Sequence, residues 1–238
     1  HASSGVQVTQ HETRVTAWSL ELTKLLERAV ALDAAELGAS ATLQQVAATA
    51  AEVVRVLRSQ GRRLTGVALA VPGVVDARAG RLVASDPLGW SDIDLRRPML
   101  SRRQLADLPL LVGRLANFAT IAEWRAERDV SDLVCVYGTD TGLGCGAIVN
   151  GALLTGSRGQ AGELRFPSMV EAGPLRHLGL DSVLRLAKVR TTKEPITALL
   201  RRQDDGDASA TRALRTLAEQ VSERLATVVC LLDPTTVV

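Results

Sequence analysis

The chain has 238 residues, 46% of them apolar, a net charge of +2 and three cysteines. That length supports two lobes with separate cores at ~100–150 residues each. The near-balanced charge marks out neither a nucleic-acid footprint nor an acidic tail, and paired arginines such as Arg62-Arg63 and Arg102-Arg103 lie far apart, as solvated faces do. Cys135, Cys145 and Cys230 show no C-x-x-C spacing, which argues against a zinc site or a disulfide framework and fits three small buried hydrophobes in a reducing cytoplasm. No apolar run approaches the ~18 residues of a membrane span, and no signal peptide is visible.

In chain order, Val6–Val8, Arg14–Leu20 and Leu25–Leu32 read as strands of a β-meander. Leu43, Val46, Ala47, Ala50, Val53, Val54 and Leu57 then recur at helical spacing. Thr42-Leu43-Gln44-Gln45 reads as a capping box and Gly61 as a stop, so the pattern predicts a helix over Thr42–Gln60. Gly66–Val71 is a continuous apolar run, expected of a strand buried on both faces, and Pro72-Gly73 ends it. The carboxyl end of such a strand is where open α/β sheets place ligands.

Beyond it, Arg81–Ala84 is a short strand, Asp86–Trp90 a loop and Leu95–Leu105 a helix. Strand Leu108–Val112 leads into helix Ala116–Arg128, and Asp132–Tyr137 opens a second lobe. Helices are expected near Asp181–Ala187 and Ile196–Arg202, and Asp204–Asp207 is a turn whose spacing is wrong for calcium. Ala210, Leu214, Leu217, Val221, Leu225 and Val228 form a long helical stripe. A strand over Thr235–Val238 follows, which points to a further carboxyl-terminal piece. The order predicts two α/β lobes built alike, 1–114 and 115–238, with no visible sequence repeat.

The richest stretch is Tyr137–Glu163. Thr141-Gly142-Leu143-Gly144 between two strands is a candidate phosphate cradle, because successive backbone N–H groups can point into one concavity. Turn geometry alone accounts for the same glycines. Asn150-Gly151 is a strong hairpin signal, and Gly156–Gly162 is a second glycine-rich loop ending on Glu163.

Taken in order, Val71-Pro72-Gly73-Val74-Val75-Asp76, Leu88-Gly89-Trp90-Ser91-Asp92, Ala116-Asn117, Ala122-Glu123-Trp124, Thr141–Gly144, Asn150-Gly151, Gly159–Leu164 and Leu231–Pro234 form a specific set. The chain resembles the ROK family (repressors, open reading frames, kinases) of bacterial sugar kinases and sugar-responsive transcription regulators, over nearly its whole length. The resemblance implies an α/β, actin-like ATPase fold of the ribonuclease-H type, with two lobes around a cleft for sugar and nucleotide. It also implies a homodimer.

The departures from the family pattern bear on function. The D-x-G-G-T phosphate turn is matched by Gln7-Val8-Thr9-Gln10-His11, without acid or glycine. The N-D-A-N motif is matched by Arg114-Leu115-Ala116-Asn117, so Leu115 stands at the general base and Arg114 at a sugar-binding asparagine. A hydrocarbon cannot accept the hydroxyl proton, a step typically worth ~10²–10⁴-fold in rate. The family's Gly-His and cysteine-rich zinc segment is matched by Arg165-Phe166 and a cysteine-free Val170–Ser182, and His177 has no thiolate partners.

No catalytic residue, metal or cofactor is therefore expected. The expected ligand-binding residues are Gly73, Arg114 and Glu163, with Thr141, Gly142 and Gly144 as a phosphate-loop remnant. The function these residues imply is the effector-sensing and oligomerisation domain of a transcriptional regulator. Its ligand would be a carbohydrate or sugar phosphate, and Arg114, Arg165 and Trp90 beside Glu163 would favour an anionic one. Contact with DNA would come only through a winged-helix domain outside this sequence. A sugar kinase with a divergent site, or a ligandless pseudo-kinase, are the alternatives.

Overall fold

The computed structural model describes residues 1–127, 129–139, 142–163, 180–188 and 195–238. The chain divides into two compact units, one of His1–Phe118 with Thr155–Gln160, the other of Ala119–Leu154 with Ala161–Val238.

The first unit opens with three antiparallel strands, β1 (Ala2–Val8), β2 (Glu12–Ser19) and β3 (Lys24–Ala31). Ala2, Ser4, Val6 and Val8 alternate inward along β1, which gives the sheet one core face. A short helix α1 (Ala34–Leu37) precedes α2 (Ala39–Ser59). The predicted stripe Leu43, Val46, Ala47, Ala50, Val53, Val54 and Leu57 is fully buried, in one core with β1. The capping box is not used. Asp33 caps α1 through the Ala35 and Glu36 N–H groups, both at 3.0 Å, and α2 begins three residues before Thr42. The Thr42 hydroxyl is therefore buried inside the helix, with no partner among the described residues. At the other end Gly61 N–H donates to Arg58 O and Arg62 N–H to Leu57 O, each at 3.0 Å, a Schellman closure.

Strand β4 (Leu64–Val71) runs parallel to β1, and beyond it come β5 (Val74–Asp76), β6 (Arg81–Ser85), β7 (Trp90–Asp94), the short α3 (Arg96–Leu100) and β8 (Leu110–Arg114). The main sheet has the order β3-β2-β1-β4-β8, and β5-β6-β7 form a small antiparallel sheet. The loop expected over Asp86–Trp90 holds as far as Gly89, and β7 follows it, held by Arg81 Nε on Asp92 Oδ1 at 3.1 Å. One assignment changes here. The expected helix Leu95–Leu105 stops at Leu100, where the Ser101 hydroxyl donates to Pro98 O at 2.7 Å, a local bond of the kind that competes with helix continuation.

Helix α4 (Leu115–Ala126) leaves β8 directly. The second unit then repeats the opening theme with β9 (Leu133–Thr139), β10 (Gly142–Val149) and β11 (Ala152–Leu153), followed by α5 (Leu180–Leu186), α6 (Pro195–Asp204), α7 (Ala208–Leu232) and β12 (Thr236–Val237). Its sheet order is β11-β10-β9-β12, with β12 parallel to β9. This is the β3-β2-β1-β4 order of the first unit, so the repeat that the residues hide is present in the strand pairing. Asn150-Gly151 joins Val149 to Ala152 as a two-residue hairpin.

On α7, Leu214, Leu217 and Val221 pack on one core cluster and Leu225 and Val228 on another, as the stripe requires. Cys135 and Cys145 are buried in β9 and β10, but Cys230 is exposed. It lies two residues past Val228, off the i, i+3, i+4 stripe, so the expectation of three buried thiols holds for two. No described helix is long and apolar enough to cross a membrane.

Asp132 ties three parts of this sheet together. Its carboxylate accepts from the Ser131 hydroxyl and, at 2.8 Å, from Asn150 N–H. Its carbonyl accepts from Thr235 N–H and Oγ1, at 3.0 and 2.7 Å, just ahead of β12. The Ser131 hydroxyl first, then the Asn150 N–H, hold the Asp132 carboxyl below its usual range. A depressed folded pKa contributes stability that is complete above the ordinary value near ~4 and is lost as pH falls through the folded one. The melting temperature of the wild type should therefore fall more steeply than that of Asp132→Asn as pH drops below about 4; parallel curves would show that this clasp does not matter.

Candidate functional site

In the first unit, β4 and β8 run parallel and end level, with Val71 opposite Arg114. The chain leaves β4 through Pro72-Gly73 and leaves β8 into the first turn of α4. Gly73 and Arg114 are thus brought to one place, the carboxyl ends of two neighbouring strands. Gly73 has φ +107°, and a Cβ there would lie 2.3 Å from Ala84 O and 2.8 Å from Ser85 Cα. Its glycine is demanded by the close passage of β6. Arg114 is 3% exposed and already engaged within the protein. Leu115 and Ala116 beside it are buried. Asn117 is buried too, and its side-chain oxygen has no partner among the described residues. Sequence reasoning passed over it, although Asn117 was in plain view as the last residue of the matched motif.

The turn after β1 is closed upon itself. Thr9 Oγ1 donates to Glu12 O at 3.0 Å and accepts from Glu12 N–H at 3.1 Å, while Thr9 N–H donates to Glu12 O at 2.8 Å. The carbonyls of Gln10 and His11 accept from Ala34 and Leu32 N–H at 2.8 and 3.0 Å. The Thr9 and Glu12 N–H groups are thus spent on the turn. They are not gathered into an anion cradle of the kind that glycine-rich turns make.

In the second unit, Gly142 pairs with Thr139 and Gly144 with Tyr137 across the β9–β10 hairpin. Thr141 lies outside the described residues, as do Arg165, Phe166 and His177. Gly162 has φ +82°, its carbonyl accepts from Cys145 N–H at 3.2 Å, and a Cβ would lie 2.1 Å from Cys145 O. Gly162 thus fixes the backbone just ahead of Glu163 against Cys145 of β10. Glu163 is half-buried and engaged within the protein.

Trp90 serves the fold. It is buried in the core of the first unit, where its indole N–H donates to Ala34 O at 3.2 Å. A recess of about 400 Å³ elsewhere in the second unit is lined by Trp124, Arg125, Glu127 and Asp129, among others. The Trp124 indole N–H is already donated to Val130 O at 2.6 Å, and the lining holds one arginine and two acids. No group of three or more His, Cys, Asp or Glu able to hold a metal occurs among the described residues.

Residues 4–175 match the ROK family. This chain belongs to that family. Among curated relatives it is 29% identical over 111 residues to a glucokinase of Halalkalibacterium halodurans, covering 46% of this chain and 33% of that protein. It is 31% identical over 103 residues to the xylose repressor of Caldicellulosiruptor bescii, covering 42% of this chain and 25% of the repressor. An N-acetylmannosamine kinase of Yersinia pestis is 29% identical over 180 residues, 70% of this chain and 60% of the kinase. The chain thus spans a third or less of the glucokinase and the repressor, and more than half of the mannosamine kinase. Among solved structures, a ROK glucokinase from Streptomyces griseus with glucose and AMPPNP superposes with a TM-score of 0.78 at 22% identity, covering all of this chain and 82% of that one. A ROK transcriptional regulator, a homologue of the E. coli MLC protein, gives 0.80 at 18% identity, covering 99% and 64%. The fold is the α/β, actin-like ATPase fold, and the family holds both sugar kinases and repressors.

The two positive-φ glycines Gly73 and Gly89 separate steric from conformational demand, since a Cβ at Gly89 meets nothing within 4 Å. Gly73→Ala should cost about 2–4 kcal/mol in denaturant unfolding of this unit and Gly89→Ala about 1 kcal/mol. Equal costs would show that the passage of β6 does not set the demand at Gly73.

Proposed function

We propose that this chain is the effector-sensing and oligomerisation part of a ROK-type transcriptional regulator, without phosphotransferase activity. The observation that carries this reading is Leu115, a buried hydrocarbon at the position that resembles the general base. The closed turn at Thr9–Glu12 supports it, because the Thr9 and Glu12 N–H groups are already used within the turn. A sensor needs only different affinities for two arrangements of its lobes, which we take as 1–114 and 115–238, and needs no chemistry.

The ligand we propose is a carbohydrate or sugar derivative. Asn117 offers an unused acceptor to a hydroxyl, and Glu163 would accept hydroxyls from the second unit, with Thr141, Gly142 and Gly144 as a remnant of the phosphate loop. Arg114, a cation at the end of β8 in place of a neutral amide, is the ground on which we take the sugar to be anionic. The protein would act as a cytoplasmic homodimer and reach DNA through a segment outside these 238 residues. The second reading, a sugar kinase with a divergent site, is favoured by the glucokinase and N-acetylmannosamine kinase likenesses.

Two measurements separate them. A coupled phosphorylation assay with ATP and a hexose panel should give no turnover, and turnover that disappears in Glu163→Gln would overturn the proposal. Calorimetry should show a sugar phosphate or sugar acid binding more tightly than the neutral hexose, and Glu163→Gln should weaken binding about tenfold or more, as expected for loss of hydrogen bonds to a charged group. Preference for neutral hexoses would remove the anionic assignment, and no binding of any sugar would remove the effector.

A further inference from the structure

The net charge of +2 hides a split between the units. The first carries 15 basic side chains against 11 acidic ones, and the second 13 against 15. The excess in the first unit is concentrated. Residues 95–106 hold Arg96, Arg97, Arg102 and Arg103 and no acid, and residues 53–63 hold Arg55, Arg58, Arg62 and Arg63 and no acid. The pairs Arg62-Arg63 and Arg102-Arg103, which read in the sequence as separate solvated faces, belong to stretches that pack together. Arg102 Nη2 donates to Gln44 O near the start of α2, at 3.2 Å. Near the end of α2, Arg58 Nη2 donates to both carboxylate oxygens of Asp107, at 3.0 and 2.9 Å. The segment leaving α3 thus runs along α2 from Gln44 to Arg58, a span of about 20 Å at ~1.5 Å per helical residue.

Some of these arginines are spent inside the unit. Arg96 donates to Leu110 O and Ala77 O, Arg58 to Asp107 and Arg102 to Gln44 O. Others are not. Arg55 lies one turn before Arg58 on the same side of α2, and Arg103 is next to Arg102. Both are exposed, as are Arg63 and Arg97. None of these four guanidinium groups makes a hydrogen bond or ion pair among the described residues. Of the acids beside them, Asp107 is taken by Arg58, and Glu52, three residues before Arg55, has no partner among the described residues.

A small anion is held by donors that converge on one point, whereas these cations are strung along a helix of 21 residues. A partner that suits them is long and repeats its charge. Guanidinium groups match phosphate oxygens two at a time. Duplex DNA offers one phosphate charge per ~1.7 Å of its axis, so a stretch of ~20 Å can meet several separated arginines at once. Resting on the regulator reading, we propose that the face of α2 and α3 in the first unit binds duplex DNA through its phosphates, with Arg55, Arg63, Arg97 and Arg103 as the contacts. This contact carries no sequence information, because phosphates are alike at every position. It holds the first unit on DNA by charge, and salt releases it.

The test is fluorescence anisotropy of the 238-residue chain with a labelled duplex of about two helical turns and arbitrary sequence, titrated from about 50 to 200 mM salt. The log of the affinity should fall against the log of salt with a slope of about −3 to −4, as four phosphate contacts require. Arg55→Gln with Arg103→Gln should weaken binding about tenfold or more at the low-salt end and reduce the slope by about 2. The melting temperature should stay at the wild-type value, since neither side chain supports a contact. Glu52→Gln should tighten binding about two- to threefold, because a charge that repels phosphate is gone. Arg212→Gln with Arg215→Gln removes the same charge from exposed positions on α7 of the second unit and should leave the affinity within about twofold. No binding at the low-salt end, or equal weakening by the two arginine pairs, would overturn the inference. Tighter binding to vesicles of anionic lipid than to the duplex would assign the face to a membrane surface and overturn it as well. Each of these results would leave the regulator reading standing, because that reading is decided by phosphate transfer and ligand binding.

Discussion

The architecture of the first unit depends on one constraint, the double pairing of β4. Its backbone is bonded to β1 on one side and to β8 on the other, both parallel. A parallel strand paired along both edges has no exposed rim and little exposed face, which is why Leu64–Val71 contains no charged residue. The same pairing sets β8 level with β4, so the ends of both strands, and the residues that leave them, are delivered to one spot. Everything proposed for the first half of the site follows from that alignment. Gly73 leaves one strand under a steric demand from β6, and Arg114 to Asn117 leave the other into a helix.

What was legible in the sequence was periodicity. The α2 and α7 stripes, the apolar β4 run and the Asn150-Gly151 hairpin each have a spacing that only one local structure satisfies, and each is present. What was not legible was competition between equally plausible local bonds. Thr42 has the composition of a cap, but Asp33 and Gly38 start the helices earlier, and no spacing rule ranks one candidate over the other. Strand β7 was left unassigned because Trp90–Asp94 holds only two apolar residues, and only the structure sets Arg81 across from Asp92. Trp90 looked like a ligand-facing aromatic beside a glycine, and only the path of α1 shows that its N–H is needed by Ala34 O.

The two sheets make a related point about what a fold preserves. Strands one to three of each form a meander, and the fourth returns parallel beside the first. Hydrogen bonds between main chains carry that order and do not depend on which apolar side chain sits at a given position, so residues can diverge until no repeat is visible. The site is in the opposite situation. Its chemistry would rest on side chains, and in the reading proposed above Leu115, buried where β8 passes into α4, offers no proton acceptor.

The thiols give this chain a practical property. Burial pushes the Cys135 thiol above its ordinary range, against a hydrogen bond with Thr120, and Cys145 is also enclosed, whereas Cys230 stands open on α7. Alkylating reagents need an accessible thiolate. At neutral pH a maleimide dye would therefore attach to one known position on the longest helix of the second unit, giving a site-specific optical reporter in the natural sequence without any engineered cysteine.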